Sequence, residues 1–489
     1  MEISKNNSKI KPRNLWKIIN NNKYQHHVTI STIGSGIELT KEVDERVVNM
    51  EDLEKRKEVY GICGECNEPG TGFYWCRPCN AKRFKDNFKN WTSGNQIIDD
   101  FIQQSQFDAV FRKNCLEWIP FGNFKNVTYI TKGGFGKIYS AEWPDGFIIS
   151  WDIENQKWDR DSNVQVALKS LYNSSNISLD FLNEIKSHLQ IYLVDIVQCY
   201  GMTQDPNTKD YMMVLQYCNK GNLRNYYLNN SDLCNSKIFY LFQIVRGLLN
   251  IHNAGKIHKD FHSGNILRSY SGIFISDLGM CQPANIEQSV ENEEIYGVLP
   301  YVAPEVLRGN KYTKASDIYS FGIMMNEYIS EEPPYNDIPH DHVLAVKVCK
   351  GFRPKISDDV PKLLADLIIR CWDAKAENRP TAKELHQILN KWSNEIDEKH
   401  NYSEIYSQIK ECEKIKKNKL KNKSNKIKSK NMQTHPQAIY TSRLLNFKNL
   451  PEPVNSDVIQ LTSSTECLDC QLNETDLNEI NQDDKNNIE

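Results

Sequence analysis

The tightest constraint on how this chain folds lies in residues 60 to 84, "YGICGECNEPGTGFYWCRPCNAKRF", where Cys63, Cys66, Cys76 and Cys79 form two C-x2-C pairs. Each pair turns two thiolates inward on a short knuckle, and Gly61, Gly64, Gly70 and Gly72 permit the tight turns. Four thiolates make a closed tetrahedral shell for structural Zn²⁺, with no open position for chemistry. Two other readings compete. Reduced packing cysteines would not need so regular a spacing, and a redox centre would need one pair rather than two. A segment this short buries little core, so a metal would supply its folding energy. The neighbouring Arg77, Lys82, Arg83 and Lys85 read better as a solvated basic face than as a nucleic-acid surface.

The chain has 489 residues, of which 39% are hydrophobic, enough for two or three domains. From its formal charge of -3 no general affinity for polyanions follows, and any such character must be local. The N-terminal residues lack the apolar run of a signal peptide, and no stretch approaches the roughly 20 apolar residues of a membrane span. The sequence therefore reads as cytoplasmic, with the Lys-rich run 414–430 offering a route to the nucleus. The cysteines outside the cluster read as reduced thiols, and the lone pair Cys467 and Cys470 receives no role.

Composition and periodicity divide the chain into a structureless leader (1–58), the Cys segment (59–90), a helical linker (91–123), a folded unit (124–392) and a structureless tail (393–489). In the linker, Ile97, Ile98, Phe101, Ile102 and Phe111 recur at helical spacing. Within 124–392 a strand-rich part precedes a helical one. In the tail, Lys at nearly every second position of 414–430 should repel and oppose order.

Several separated motifs stand in order along 124–392: "YITKGGFGKIY", "VQVALKSL", "FLNEIKSHL", "HKDFHSGNIL", "FISDLGM", "YVAPEVL", "SDIYSFG" and "AENRPT". The set resembles the eukaryotic protein kinases, particularly their tyrosine-kinase-like branch. The resemblance implies an α+β, two-lobed protein kinase fold, with a small β-rich N-lobe and a larger helical C-lobe, preceded by the zinc-binding segment. It implies ATP and Mg²⁺ as cofactors and protein substrates as partners.

Residue by residue, Gly133 and Gly136 match the glycines that let backbone N–H groups approach phosphates, with Thr131 in place of the first. Ile138 matches an apolar residue beside the nucleotide, Ala167 would roof the adenine, and Leu267 would floor it. Lys169 would reach the α and β phosphates and pair with Glu184. Asp260 matches the catalytic base, while Asn265 and Asp277 match the magnesium ligands. Glu305 is expected to pair with Arg379, and Asp317 to cap the backbone of the catalytic loop.

The expected activity is ATP-dependent phosphoryl transfer to protein hydroxyls, those of Ser or Thr, in intracellular signalling. Tyrosine or dual specificity is the alternative acceptor class, because His262 and Val298 replace the Lys and Thr usual in Ser/Thr kinases. On the functional reading His262 faces the γ-phosphate. A second class of function is a pseudokinase adaptor recruiting partners through the Cys segment and tail. With Lys259 in place of the usual Arg, and acidic residues around Ser289 and Tyr296, weak dependence on phosphorylation of the 277–305 segment is expected.

Overall fold

In Val164–Leu171 the side chains alternate: Val166 and Leu168 are buried on one face, while Ala167 and Lys169 lie on the other. Five neighbours complete the sheet around this strand in a computed structural model that describes residues 13–20, 23–29, 46–132, 136–171, 177–191, 194–229, 234–284, 294–397, 403–423 and 434–455. The sheet order is Glu117–Trp118, Cys199–Gln204, Tyr211–Gln216, Val164–Leu171, Gly136–Trp143 and Lys125–Lys132. All pairings are antiparallel except that of Glu117–Trp118, which runs parallel to Cys199–Gln204. That added strand comes so close that a Cβ on Gly201 would stand 2.0 Å from the Glu117 carbonyl oxygen, so only glycine fits.

One sheet face packs Val166, Leu168, Val214 and Trp143. The other packs Met213 and Leu215 against two helices. The helix Gln96–Asp108 supplies Ile98 and Ile102, and the helix Leu179–Gln190 supplies Phe181 and Ile185. The second helix starts at Ser178, whose hydroxyl accepts the Phe181 N–H. Ile97 is exposed, and Phe111 lies past the end of the linker helix, buried beside His27.

The larger lobe is built on the helices Cys234–Asn253, Lys314–Ser330, Lys362–Cys371 and Ala382–Asp397, which share one apolar core. Arg379 reaches Glu305 through two bonds of 2.7 and 2.8 Å, tying the end of the lobe to the helix Pro304–Leu307.

The structure differs from the sequence reading at both ends. The leader was expected to be structureless to residue 58, yet Leu15–Trp16 pairs with Gly61–Ile62, and Leu53–Tyr60 is a helix capped by Asp52. Ile19, Val28, Val48, Tyr60 and Val110 share a small core. A Cβ at Gly64 would meet the Arg13 carbonyl oxygen at 2.2 Å, which shows how closely the leader wraps the Cys knuckle. The few apolar residues of the leader are too sparse for periodicity, but Ile19, Val28 and Val48 are buried against the Cys unit while Leu15, Ile18 and Leu53 stay exposed.

The Cys unit also packs on the sheet lobe through a hairpin, Phe147–Asp152 with Lys157–Asp161. Its Trp158 stacks on Phe84 at 4.9 Å and on Trp75 at 5.9 Å, and Arg83 lies 4.3 Å over the Trp151 ring.

In the tail, Glu404–Lys423 is a helix rather than a repelling coil. Ile405, Ile409 and Cys412 are buried, and Lys is a good helix former, so an apolar anchor near the start carries the basic turns behind it. Residues 434–455 follow as an extended strap, and its Arg443–Leu445 forms a two-stranded sheet with Ile295–Gly297. Glu287, Ser289, Glu291, Glu293, Cys467 and Cys470 lie outside the described residues, while Glu294 is exposed.

Candidate active site

Lys169, the central charge of the site, is 7% exposed and sits on the sheet face that carries Ala167. Its Nζ lies 2.7 Å from Glu184 Oε1 and 2.9 Å from Asp277 Oδ1. Burial lowers the lysine pKa, but Asp277 and Glu184 outweigh it and raise the value above the ordinary one. The same burial pushes Glu184 up against the pull of Lys169. Two carboxylates flank one ammonium, so the geometry keeps Lys169 charged. Asp277 adopts φ 60°, a left-handed conformation that Asp tolerates better than most residues.

Ile138 pairs with Lys169 and Ser140 with Ala167, so these side chains share the cleft face of the sheet. Gly136 pairs with Leu171 at the start of its strand, while Gly133 lies outside the described residues. Leu267, on the strand Ile266–Ser269, borders the same apolar cluster as Ala167 from the opposite lobe. These residues form the walls of a slot between the lobes.

The loop "HKDFHSGN" is held from below by Asp317, which is 1% exposed. Its two oxygens accept the backbone N–H groups of His258 at 2.8 Å and Lys259 at 3.0 Å, and His252 Nε2 lies 2.9 Å away. These bonds hold Lys259 at φ 70°, a conformation that costs an ordinary residue of order 1 kcal/mol or more. The ammonium of Lys259 reaches Gln282 and lies 5.0 Å over the Tyr312 ring. Ser263 donates to Glu327 at 2.8 Å, and Arg224, Tyr227 and Tyr301 converge on the same carboxylate.

Asp260 is 4% exposed and faces the cleft. Asn265 Nδ2 donates to the Asp260 carbonyl oxygen at 2.9 Å and to Oδ2 at 3.1 Å. Both partners only accept, so the amide nitrogen must face them, and the amide oxygen points the other way. That oxygen and the Asp277 carboxylate are hard donors of the kind a magnesium ion takes.

His262 lies beside the Asp260 carboxylate. Its Nδ1 accepts the Gly264 N–H at 3.0 Å, so the proton of the neutral ring sits on Nε2. That nitrogen lies 3.5 Å from Asp260 Oδ2, and the ring faces Tyr301 at 5.7 Å. The imidazole thus supports the carboxylate from the acceptor side.

Ser442 completes this side, a residue no motif singled out. Its hydroxyl donates to Asp260 Oδ2 at 2.5 Å and lies 3.4 Å from His262 Nε2. Burial pushes the Asp260 carboxyl up, but His262 and the hydrogen bonds from His262 and Ser442 outweigh it and hold the pKa at about 2. The one signal in the sequence is the modestly apolar "AIYTSRLLNF" between two polar runs.

Far from the cleft, Cys63 Sγ lies 3.8 Å from Cys79 Sγ, Cys66 Sγ lies 3.6 Å from Cys76 Sγ, and all four sulfurs fall within 4.8 Å of one another. Zn–S bonds of about 2.3 Å in a tetrahedron place sulfurs about 3.8 Å apart, close to the two distances found here, so the four thiols could hold such an ion.

A buried Lys between two carboxylates, facing an Asp–Asn pair across a two-lobed slot, defines the phosphotransfer cleft of a protein kinase. The family model of protein tyrosine and serine/threonine kinases matches residues 124–389, and the chain belongs to that family. It is 26% identical over 289 residues to a probable serine/threonine-protein kinase of Dictyostelium discoideum, covering 56% of this chain and 20% of the relative. It is 27% identical over 294 residues to the serine/threonine-protein kinase VIK of Arabidopsis thaliana, covering 57% of this chain and 62% of the relative. A probable LIM domain-containing serine/threonine-protein kinase of Dictyostelium discoideum is 26% identical over 318 residues, covering 63% of this chain and 44% of the relative. The chain spans less than two thirds of the length of each of these curated relatives.

Proposed function

We propose that the chain is an ATP- and magnesium-dependent protein kinase that phosphorylates serine or threonine hydroxyls, belongs to the tyrosine-kinase-like branch, and holds one structural zinc in its Cys unit. The observation that carries the reading is Lys169 held at 2.7 Å from Glu184 and 2.9 Å from Asp277. The Cys₄ geometry supports the zinc, and the serine/threonine names of the relatives support the acceptor class.

On this reading Lys169 orients the α and β phosphates, and Ala167, Leu267 and Ile138 enclose the adenine. Asn265 and Asp277 would hold magnesium, which when bound would neutralise phosphate charge. Asp260 orients the acceptor hydroxyl and takes its proton. The Asn265 amide and the His262 imidazole keep the Asp260 carboxylate in place.

The test is incubation of the purified chain with labelled ATP, magnesium and matched peptides that carry Ser, Thr or Tyr. Label on Ser or Thr is expected, with little label from the Asp260→Asn protein. Equal turnover by that variant would overturn the assignment of Asp260, and label on Tyr alone would overturn the acceptor class. Elemental analysis should find one zinc per chain, lost in Cys66→Ser.

A further inference from the structure

We propose that residues 434–455 are a substrate strap built into the chain, and that Ser442 is the acceptor of phosphoryl transfer within the same molecule, its modification releasing the strap from the groove. The proposal rests on the kinase reading of the cleft.

Ser442 is held in register on both sides. C-terminal to it, Leu445 pairs with Ile295, Leu444 with Tyr296 and Arg443 with Gly297, and the Leu445 side chain is buried in the large-lobe core. N-terminal to it, Tyr440 stacks under the Arg224 guanidinium at 4.4 Å, and its hydroxyl donates to the Pro334 carbonyl at 2.9 Å. The Ile439 N–H donates to His340 Nδ1 at 3.1 Å. Further along, Arg308 bonds the Glu452 carboxylate, the Val454 N–H reaches the Cys349 carbonyl, and Asn455 reaches Asp373.

Contact then selects the residue: Thr441 is exposed, while the Ser442 hydroxyl bonds the Asp260 carboxylate. The nucleotide side is assembled in the same structure, so both halves of the cleft are set for one transfer.

In the step proposed, the Ser442 hydroxyl oxygen forms a bond to the γ-phosphorus of ATP and the bond to the β–γ bridging oxygen breaks. ADP leaves, and the hydroxyl proton passes to Asp260 Oδ2. The product carries about −1.5 to −2 charges beside the Asp260 carboxylate, and like-charge repulsion in a buried site drives the strap out. Until then the tethered strap excludes other acceptors, because its effective concentration is of millimolar order.

The test uses the full chain, dephosphorylated, with ATP and magnesium, quenched over time and mapped for phosphosites at two protein concentrations about 100-fold apart. Phosphate should appear first on Ser442, at the same fractional rate at both concentrations. Turnover of an added serine peptide should follow after a lag. In Ser442→Ala that turnover should stay about tenfold or more below the preincubated wild type, and in Leu445→Glu it should start without a lag.

A Ser442 rate that falls with dilution would overturn transfer within one molecule. Phosphate on Thr441 in place of Ser442 would overturn the register. Wild-type peptide turnover in Ser442→Ala would overturn release by phosphorylation. Peptide labelling with no phosphate on Ser442 would sink the strap proposal and leave the kinase reading intact. No label anywhere would sink the kinase reading and the proposal with it.

Discussion

On the nucleotide side of the cleft, three full charges meet in the interior: Lys169 at 2.7 Å from Glu184 and 2.9 Å from Asp277. On the acceptor side one buried carboxylate, Asp260, takes the Ser442 hydroxyl at 2.5 Å and the Asn265 amide at 3.1 Å, with the His262 ring 3.5 Å away. The two sides differ in what it costs to lose a partner. Removing one member of a buried ion pair strands a charge and costs about 3–5 kcal/mol, whereas a neutral hydrogen bond contributes about 1 kcal/mol net. The charged side is therefore a fixed frame, and the neutral side can exchange its occupant, as an acceptor site must.

The largest expected effect tests that contrast directly. Lys169→Met should reduce transfer at least as much as Asp260→Asn, which should lose about 10² to 10⁴ in rate. Only the lysine variant should also lose about 3–5 kcal/mol of stability by denaturant unfolding, because it strands Glu184 beside Asp277. Equal stability losses in the two proteins would erase the distinction between frame and exchange site.

Next in size, Cys66→Ser should release the metal and lower the melting temperature of the sheet lobe by about 4 °C or more. Trp158 of that lobe stacks on Trp75 and Phe84 of the Cys unit, so the frame extends into it. An unchanged sheet-lobe transition would show that the two units are independent, as their separation in the sequence suggests.

On the acceptor side, Leu445→Ala should cost the strap about 2–5 kcal/mol of docking and raise early peptide turnover about tenfold or more, with transfer chemistry intact. His262→Gln should change turnover less than tenfold, because its ring supports Asp260 through a 3.5 Å contact that Asn265 and Ser442 back up.

The smallest effect is an absence of change with pH. The Asp260 pKa of about 2 lies below the roughly 3.9 of an unfolded Asp, so its contribution to stability is full above about pH 4 and fades as pH falls towards 2. A transfer profile measured between pH 5 and 7 should therefore show no limb that disappears in Asp260→Asn. An acid limb there would mean the carboxyl is held less firmly than its donors imply.

The sequence by itself determined the cleft and the Cys cluster. Asp260 and Asn265 are five residues apart in one loop, and Cys63 and Cys66 lie on one knuckle, so backbone geometry over a few residues limits where they can point. The pair of Lys169 with Glu184 was legible only through the resemblance of its two motifs to those of protein kinases.

Tertiary structure alone decided the rest. Trp158 on Phe84, Val28 against the Cys unit and Ser442 on Asp260 join segments whose apolar residues are too sparse to declare an element. A sparse segment buries its few apolar side chains only on a surface that distant parts of the chain have already built. Ser442 lies 182 positions from Asp260 and reaches it because Leu445 finds a pocket in the large lobe and the backbone of 443–445 finds the edge at 295–297. Neither the pocket nor the edge is written in the residues around Ser442.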